Sequence, residues 1–345
     1  MVPTGFDQLA GWSEDRVSAA VPVFLRSCTR FLVRADAAPF DAAPGGADAG
    51  RVGDWRALCA AARALSADDD TAARRFFETG FRPVAVADYG DVDGLFTGYF
   101  EIELNGARHR HGRYQTPIYR RPPDLGAAPD FTRARIEDGA LAGRGLELFW
   151  VDNPIDAFFL QIQGSGRILL HDGRTVRVGY DGQNGQPYVA VGRLLVERGA
   201  VPRDKVTMAA IRQWMVQHPK AADALCREDP SYVFFREIHG DGPVGAEHVV
   251  LTPERSLAVD PAFVPLGVPI WIMADERFAP GQRVRGLVVA QDTGGAIKGP
   301  VRGDFFWGTG DIAGGRAGAM NARGRYYLLL PRNVADRLSA EAAWR

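Results

Sequence analysis

The chain has 345 residues, a formal net charge of −1, and 46% hydrophobic against 24% charged residues. That length accommodates two domains, or one domain with a large insertion, and the composition is that of a globular chain with a substantial core. The charge balance leaves no surplus of Lys and Arg to neutralise phosphates, which argues against nucleic acid as the main partner, and no apolar run reaches the roughly 20 residues needed to span a bilayer.

The first elements read as helical. Apolar residues recur at helical spacing from Asp15 to Leu32, from Trp55 to Leu65 and from Thr71 to Thr79, with a loop over 37–53 rich in Ala, Pro, Gly and Asp. Met1 to Trp12 lacks the basic and then apolar layout of a secretory signal, so a cytoplasmic chain and one whose targeting segment lies outside this sequence both fit. Cys28, Cys59 and Cys226 are an odd number at no ligand-like spacing. They argue against a disulfide framework and leave room for one Cys28–Cys59 bridge in an oxidising compartment.

From Phe81 the period changes. "RPVAVADYG" and "GLFTGYFEIEL" predict strands, residues 106–130 are turn-rich, and a β segment follows in "LELFWV", "DAFFLQIQGSG", "RILLHDG" and "TVRVGYDG". A helix is expected over Pro187–Arg198, stopped by Gly199, and another over Arg203–Gln217 that continues past Pro219. After Val249 short strands return between Gly and Pro turns: "HVVLTPERSLAVD", "VPIWIMA", "GLVVAQDTG", "GRYYLLLP". Strands without alternating helices suggest a barrel, and the different texture of the middle block suggests an inserted domain with a ligand cleft at the junction.

The segment "VVAQDTGGAIKGPVRGDFFWGTGD" carries three acids. Asp292 leaves an apolar strand for a tight turn, Asp304 precedes Phe305, Phe306 and Trp307, and Asp311 sits among glycines. A carboxyl among aromatic faces is desolvated, which raises its pKa and keeps it protonated near neutral pH. Turn and cap roles are the ordinary alternative for any aspartate. An aspartic protease would share the "DTG" turn, but it needs a second such turn that the chain lacks.

Other chemistries have weaker support. His109 and His111 have no third ligand at metal spacing, "GQNGQPY" lacks the lysine of a phosphate loop, and Ser165 lacks a hydrolase elbow, so no metal or cofactor is expected. In contrast, "FTGYFE", "YQTPIY", "QIQGSG" and "GYDGQNGQPY" combine aromatics, amides, hydroxyls and glycine. Aromatic faces suit sugar rings, and the polar groups suit their hydroxyls.

Together "FTGYFE", "RHRHGRYQTPIYRRPP", "FFLQIQGSG", "VGYDGQNGQPYVAVGRLL", "PSYVFFRE" and "AQDTGGAIKGPVRGDFFWGTGDIAGGRAGAMNARGRYYLLLP" resemble the membrane-bound lytic murein transglycosylase A family, from about Phe6 to Pro331. The resemblance implies a mainly β chain with N-terminal helices. Residues 1–105 and 240–345 would form a double-psi β-barrel domain, interrupted by an inserted β-rich substrate-binding domain over 106–239, with the glycan groove between them. It further implies Asp304 as the single catalytic acid and Asp292 as its supporting group. Thr97, Gly98, Tyr99, Gln115, Gln163, Ser165, Gly166, Asn184 and Trp307 would bind substrate. Asp181 stands where the family usually has alanine, and the family's lipoprotein signal and lipid-bearing cysteine are not in this sequence.

The activity so implied is cleavage of the β-1,4 bond between N-acetylmuramic acid and N-acetylglucosamine of peptidoglycan, with a 1,6-anhydromuramoyl product and no cofactor. Most glycosidases use two carboxylates. Here the muramic acid C6 hydroxyl would be the nucleophile, and a held internal nucleophile replaces much of what a second carboxylate supplies. A periplasmic, outer-membrane-anchored monomer acting on glycan strands, with cell-wall synthesis proteins as further partners, completes the expectation. The competing reading is a peptidoglycan-binding protein without catalysis.

Overall fold

The computed structural model describes all residues except 41–46, 67, 89, 127–130, 276–282 and 344–345. Parts of the expected 37–53 loop and of the turn-rich 106–130 stretch therefore lie outside the described residues. The chain divides into two compact units, one of Met1–Gly98, Val244–Trp307 and Met320–Arg345, the other of Tyr99–Pro243 and Gly308–Ala319.

The first unit opens with strand β1 (Val2–Pro3) and helices α1 (Val21–Phe31), α2 (Val52–Arg63) and α3 (Asp70–Gly80), followed by β2 (Phe81–Ala85). Strand β3 (Gly94–Ala107) gives its start to this unit and its remainder to the second. The helices form because each carries one apolar stripe. Phe24, Cys28 and Phe31 of α1, Trp55 and Cys59 of α2, and Phe76 and Phe77 of α3 are all buried in one core with Phe81. A Cys28–Cys59 disulfide ties α1 to α2, the bridge the sequence had left room for.

The second unit contains β4 (Thr116–Tyr119), a short helix α4 (Arg133–Arg135), β5 (Glu147–Val151), α5 (Pro154–Gln163), β6 (Ser165–Leu170), β7 (Thr175–Gln183), α6 (Val191–Glu197), α7 (Met208–Gln217), α8 (Pro219–Arg227) and β8 (Val233–Ile238). Its sheet runs β4–β5–β3–β6–β7–β8, with β3 and β6 parallel and the other pairs antiparallel. The expected strand over "DAFFLQIQGSG" is a helix up to Gln163. Asn153 caps it by accepting from the Ile155 N–H at 2.9 Å, Pro154 opens its first turn, and Gly164 at φ 75° ends it. It lacks a polar stripe because it is covered on two sides. Ala157 and Leu160 pack with the sheet, while Phe158 and Phe159 pack with α6, α7 and α8 residues such as Leu195, Met215 and Leu225. This unit is therefore a mixed α/β layer, in which α5 adds to the helices expected over 187–198 and 203–217.

The chain returns to the first unit with β9 (Ser256–Val259), β10 (Pro269–Asp275), β11 (Arg283–Asp292) and β12 (Arg302–Thr309). Helix α9 (Gly310–Ala319), which no periodicity signalled, groups with the second unit and buries Ala313 and Ala317. Strand β13 (Asn321–Pro331) and helix α10 (Arg332–Ala343) complete the chain. In sheet order β13 neighbours β10, then β11, β9 and β12; β3 pairs with both β12 and β13, so the path returns on itself. The β9–β11 pair is parallel and those of β10 with β11, β10 with β13, and β9 with β12 are antiparallel. Inside lie Leu257, Val259, Ile270, Ile272, Leu287, Val289 and Leu328, all buried. Among the described residues no helix is long and apolar enough to cross a membrane.

Candidate active site

The two acids singled out in the sequence meet on one rung of the first unit's sheet. Ala258 of β9 pairs with Asp304 on β12 and, across a register shift, with Asp292 on β11. Their backbones are thus two strand spacings apart, roughly 10 Å. Gly303 lets β12 approach this closely: a Cβ there would lie 2.9 Å from the Phe96 ring and 3.1 Å from Leu257.

Asp304 is half-buried in the strand between the buried Gly303 and Phe305. Burial raises its pKa above the ordinary aspartate value, against the opposing pull of the Arg302 charge and of the Thr97 hydrogen bond. The Thr97 hydroxyl donates to Oδ1 of Asp304 at 2.6 Å. The same hydroxyl accepts from a guanidinium nitrogen of Arg302 at 2.8 Å. Arg302 also donates to the carbonyls of Leu95 at 3.3 Å and Gly303 at 2.5 Å. Burial lowers the Arg302 pKa, with the Asp304 charge acting the other way.

Asp292 has a different environment. Its Oδ1 accepts from the backbone N–H groups of Ala246 and Thr293, each at 2.9 Å. These two N–H donors tie Asp292 to the 245–250 loop and to its own turn, whereas Asp304 is held by a side-chain hydroxyl. Behind the 245–250 loop lies a buried polar cluster. Ser27 donates to Glu247 at 2.6 Å, Gln291 donates to Ser27 at 2.9 Å, and Ser256 donates to Gln291 at 2.7 Å.

The other expected substrate residues are spread over both units. Thr97 touches Asp304, and Gly98 follows it at the last position of the first unit. In the second unit Tyr99 is buried, and Gln163 accepts from the N–H of its neighbour Phe100 at 3.1 Å. Ser165 and Gly166 start β6, with Gly166 paired to Ile102. Gln115 belongs to an exposed turn, accepting from Arg110 at 2.7 Å and donating to the Gly112 carbonyl at 2.8 Å. Asn184 donates to the carbonyls of Phe131 and Pro230 and accepts from the N–H groups of Gln186 and Tyr232, so its amide pins the surrounding loops.

Trp307 lies 4.9 Å from Phe305 in an edge-on contact. Strand alternation puts these two rings on the face of β12 opposite Asp304. They line a cavity of about 150 Å³ with Asp15, Glu254, Arg255 and Arg285. His111 packs edge-on against Tyr114 and His171. Arg302 is the participant that sequence reasoning missed. An arginine beside a glycine carries no pattern, and only its position one strand away from Thr97 reveals the contact.

Two family profiles match the chain, the MltA specific insert domain over residues 95–236 and the 3D domain over residues 255–330. The chain is 36% identical over 272 residues to "Membrane-bound lytic murein transglycosylase A" of Escherichia coli K12, covering 77% of this chain and 73% of that protein. Among solved structures, the membrane-bound lytic murein transglycosylase of Agrobacterium tumefaciens is 32% identical with a TM-score of 0.85, covering 97% of this chain and 99% of that one. The E. coli MltA structure with bound chitohexaose is 28% identical with a TM-score of 0.72, covering 96% and 92%.

Proposed function

The chain belongs to the membrane-bound lytic murein transglycosylase A family, and from that premise we propose that it cleaves the β-1,4 bond between N-acetylmuramic acid and N-acetylglucosamine of peptidoglycan, leaving a 1,6-anhydromuramoyl end, with Asp304 as the sole acid and then base. The observation that carries this reading is the Asp304 carboxyl fixed by one hydroxyl donor, with burial raising its pKa above the ordinary aspartate value. In the first step its proton passes to the glycosidic oxygen as the C1–O bond breaks. In the second the C6 hydroxyl oxygen of the same muramic acid bonds to C1, and the Asp304 carboxylate takes the hydroxyl proton. Because the attack is intramolecular, no second carboxylate need activate water.

In this reading the chain is a double-psi barrel domain (1–105 and 240–345) around an inserted substrate domain (106–239). Glycan would run past Thr97, Gly98, Tyr99, Gln163, Ser165 and Gly166, with Gln115, Asn184 and Trp307 as weaker candidates given their local contacts. The chitohexaose bound to the E. coli relative supports a glycan ligand for this chain. The relatives' name supports a membrane-bound protein, and the Cys28–Cys59 bridge suits an oxidising compartment such as the periplasm. Asp292 would act by holding the 245–250 loop and the electrostatics of the rung.

Mass spectrometry of murein sacculi digested with the protein tests this. Anhydro-muropeptides are expected from the wild type and a loss of several orders of magnitude from Asp304→Asn. Asp292→Ala should cost roughly 10²-fold, the scale of a misplaced catalytic group. Reducing ends would mean a hydrolase, and glycan binding without release would mean a binding protein. Equal losses at Asp292 and Asp304 would mean a two-acid mechanism.

A further inference from the structure

The bond from Arg302 to Thr97 has a chemical consequence for Asp304. A hydroxyl carries one hydrogen and two acceptor lone pairs, whereas a guanidinium can only donate. At 2.8 Å from Arg302, the Thr97 oxygen must be the acceptor, so its own hydrogen is directed elsewhere. The polar atom on that side is Oδ1 of Asp304 at 2.6 Å. With the Thr97 hydrogen aimed there, Oδ1 is an acceptor and Oδ2 is left as the oxygen able to carry the carboxyl proton.

We propose that Arg302 is a positioning residue: by donating to Thr97 it fixes the direction of that hydroxyl, which assigns Oδ2 of Asp304 as the oxygen that gives and later takes the catalytic proton. This rests on the reading of Asp304 as the acid and base.

Two further observations support it. Among the described residues no ion pair joins Arg302 and Asp304 directly; the polar link runs through Thr97. A direct pair would hold the carboxyl ionised and spoil it as an acid, whereas one interposed hydroxyl weakens that pull and still stabilises the carboxylate once the proton has left. Second, one guanidinium nitrogen donates to both the Leu95 and the Gly303 carbonyls while the other donates to Thr97, which ties the group down away from the carboxylate.

The groups packed around Asp304 are few. On β12 the charge is Arg302, on β3 the neighbour is the Thr97 hydroxyl, and on β9 it is the methyl of Ala258. Beyond Ala258 lies Asp292, whose Oδ1 is taken up by two N–H donors. Losing the Thr97 donation or the Arg302 charge therefore makes Asp304 a weaker acid, moving the basic limb of the rate profile to higher pH.

The experiment is steady-state turnover of solubilised murein glycan strands against pH. Arg302→Met should lower kcat by about 10²-fold with little change in KM, Thr97→Val should lower kcat by a similar factor, and each should move the basic limb upward. Arg302→Lys and Thr97→Ser, which keep the donor and the hydroxyl, should recover most of the rate and the limb. The Thr97→Val/Arg302→Met double variant should be no slower than its worse parent, since Arg302 acts through the hydroxyl that is already gone. An unmoved basic limb in Arg302→Met, or a double variant losing the product of both effects, overturns the assignment. A fully active Asp304→Asn would overturn the acid/base reading beneath it. An inactive Asp304→Asn with an unmoved limb in Arg302→Met overturns the Arg302 assignment alone.

Discussion

Burial holds two carboxyl groups of the first unit above their ordinary range: Asp304 on β12 and Glu247 in the loop that Asp292 restrains. For Glu247 the pKa is pushed up to about 8, with the Ser27 hydrogen bond and the Arg30 charge opposing the shift. A folded-state pKa above the unfolded one means that the folded chain keeps a proton the unfolded chain gives up. The stability this contributes is full below the ordinary glutamate value and is lost as the pH rises through about 8. Glu247→Gln keeps a group able to accept from Ser27 and removes the titration. Thermal melts over roughly pH 5 to pH 9 should then decline less steeply for the variant than for the wild type; parallel declines would show that Glu247 is ionised and harmless in the fold. At this scale the sequence disclosed Asp304 through its aromatic neighbours and Thr97 through its motif. It did not disclose Arg302 or Glu247, because each depends on a partner more than 200 residues away in the chain.

Individual elements were legible where periodicity was clean and misread where burial removed it. Helices α1, α2 and α3 each carry one apolar stripe and could be seen; α5 could not, because both its faces are covered and its run of Phe, Leu and Ile looks like a buried strand. Its ends nevertheless spell out a helix, Asn153-Pro154 at the start and Gly164 at the stop. Asn153→Ala, which deletes the cap on the Ile155 N–H, should cost about 1 kcal/mol in urea unfolding, and Asn153→Asp should cost little. No difference between the two would mean the cap is dispensable. Since Gln163, Ser165 and Gly166 follow directly at the end of α5, a frayed α5 should also loosen the Gln163 bond to Phe100. Helix α9 gave no signal because its glycines suppress the apolar count, although Ala313 and Ala317 mark its buried side.

For the whole molecule, the helices over 191–197 and 208–217 were legible in the sequence, whereas α5, which adds to the α/β character of the second unit, was not. The first unit is stapled by Cys28–Cys59, whose cysteines lie 31 residues apart. Closing a loop of that size removes unfolded-state entropy worth about 3–4 kcal/mol. Reduction should therefore lower the melting temperature of the unit that carries Asp304. A melt unchanged by reductant would show that the bridge adds nothing. The ring of strands around Asp304 has one more property, set by chain order. Strand β13 pairs with β2, β3 and β10 and follows all three in the chain. Before β13 pairs, the strands β10, β11, β9, β12 and β3 form an open path, and the Thr97–Arg302–Asp304 trio has no closed frame. The frame around the acid is thus assembled only when the latest-made strand of the ring finds its partners, which ties the Asp304 site to a long-range pairing.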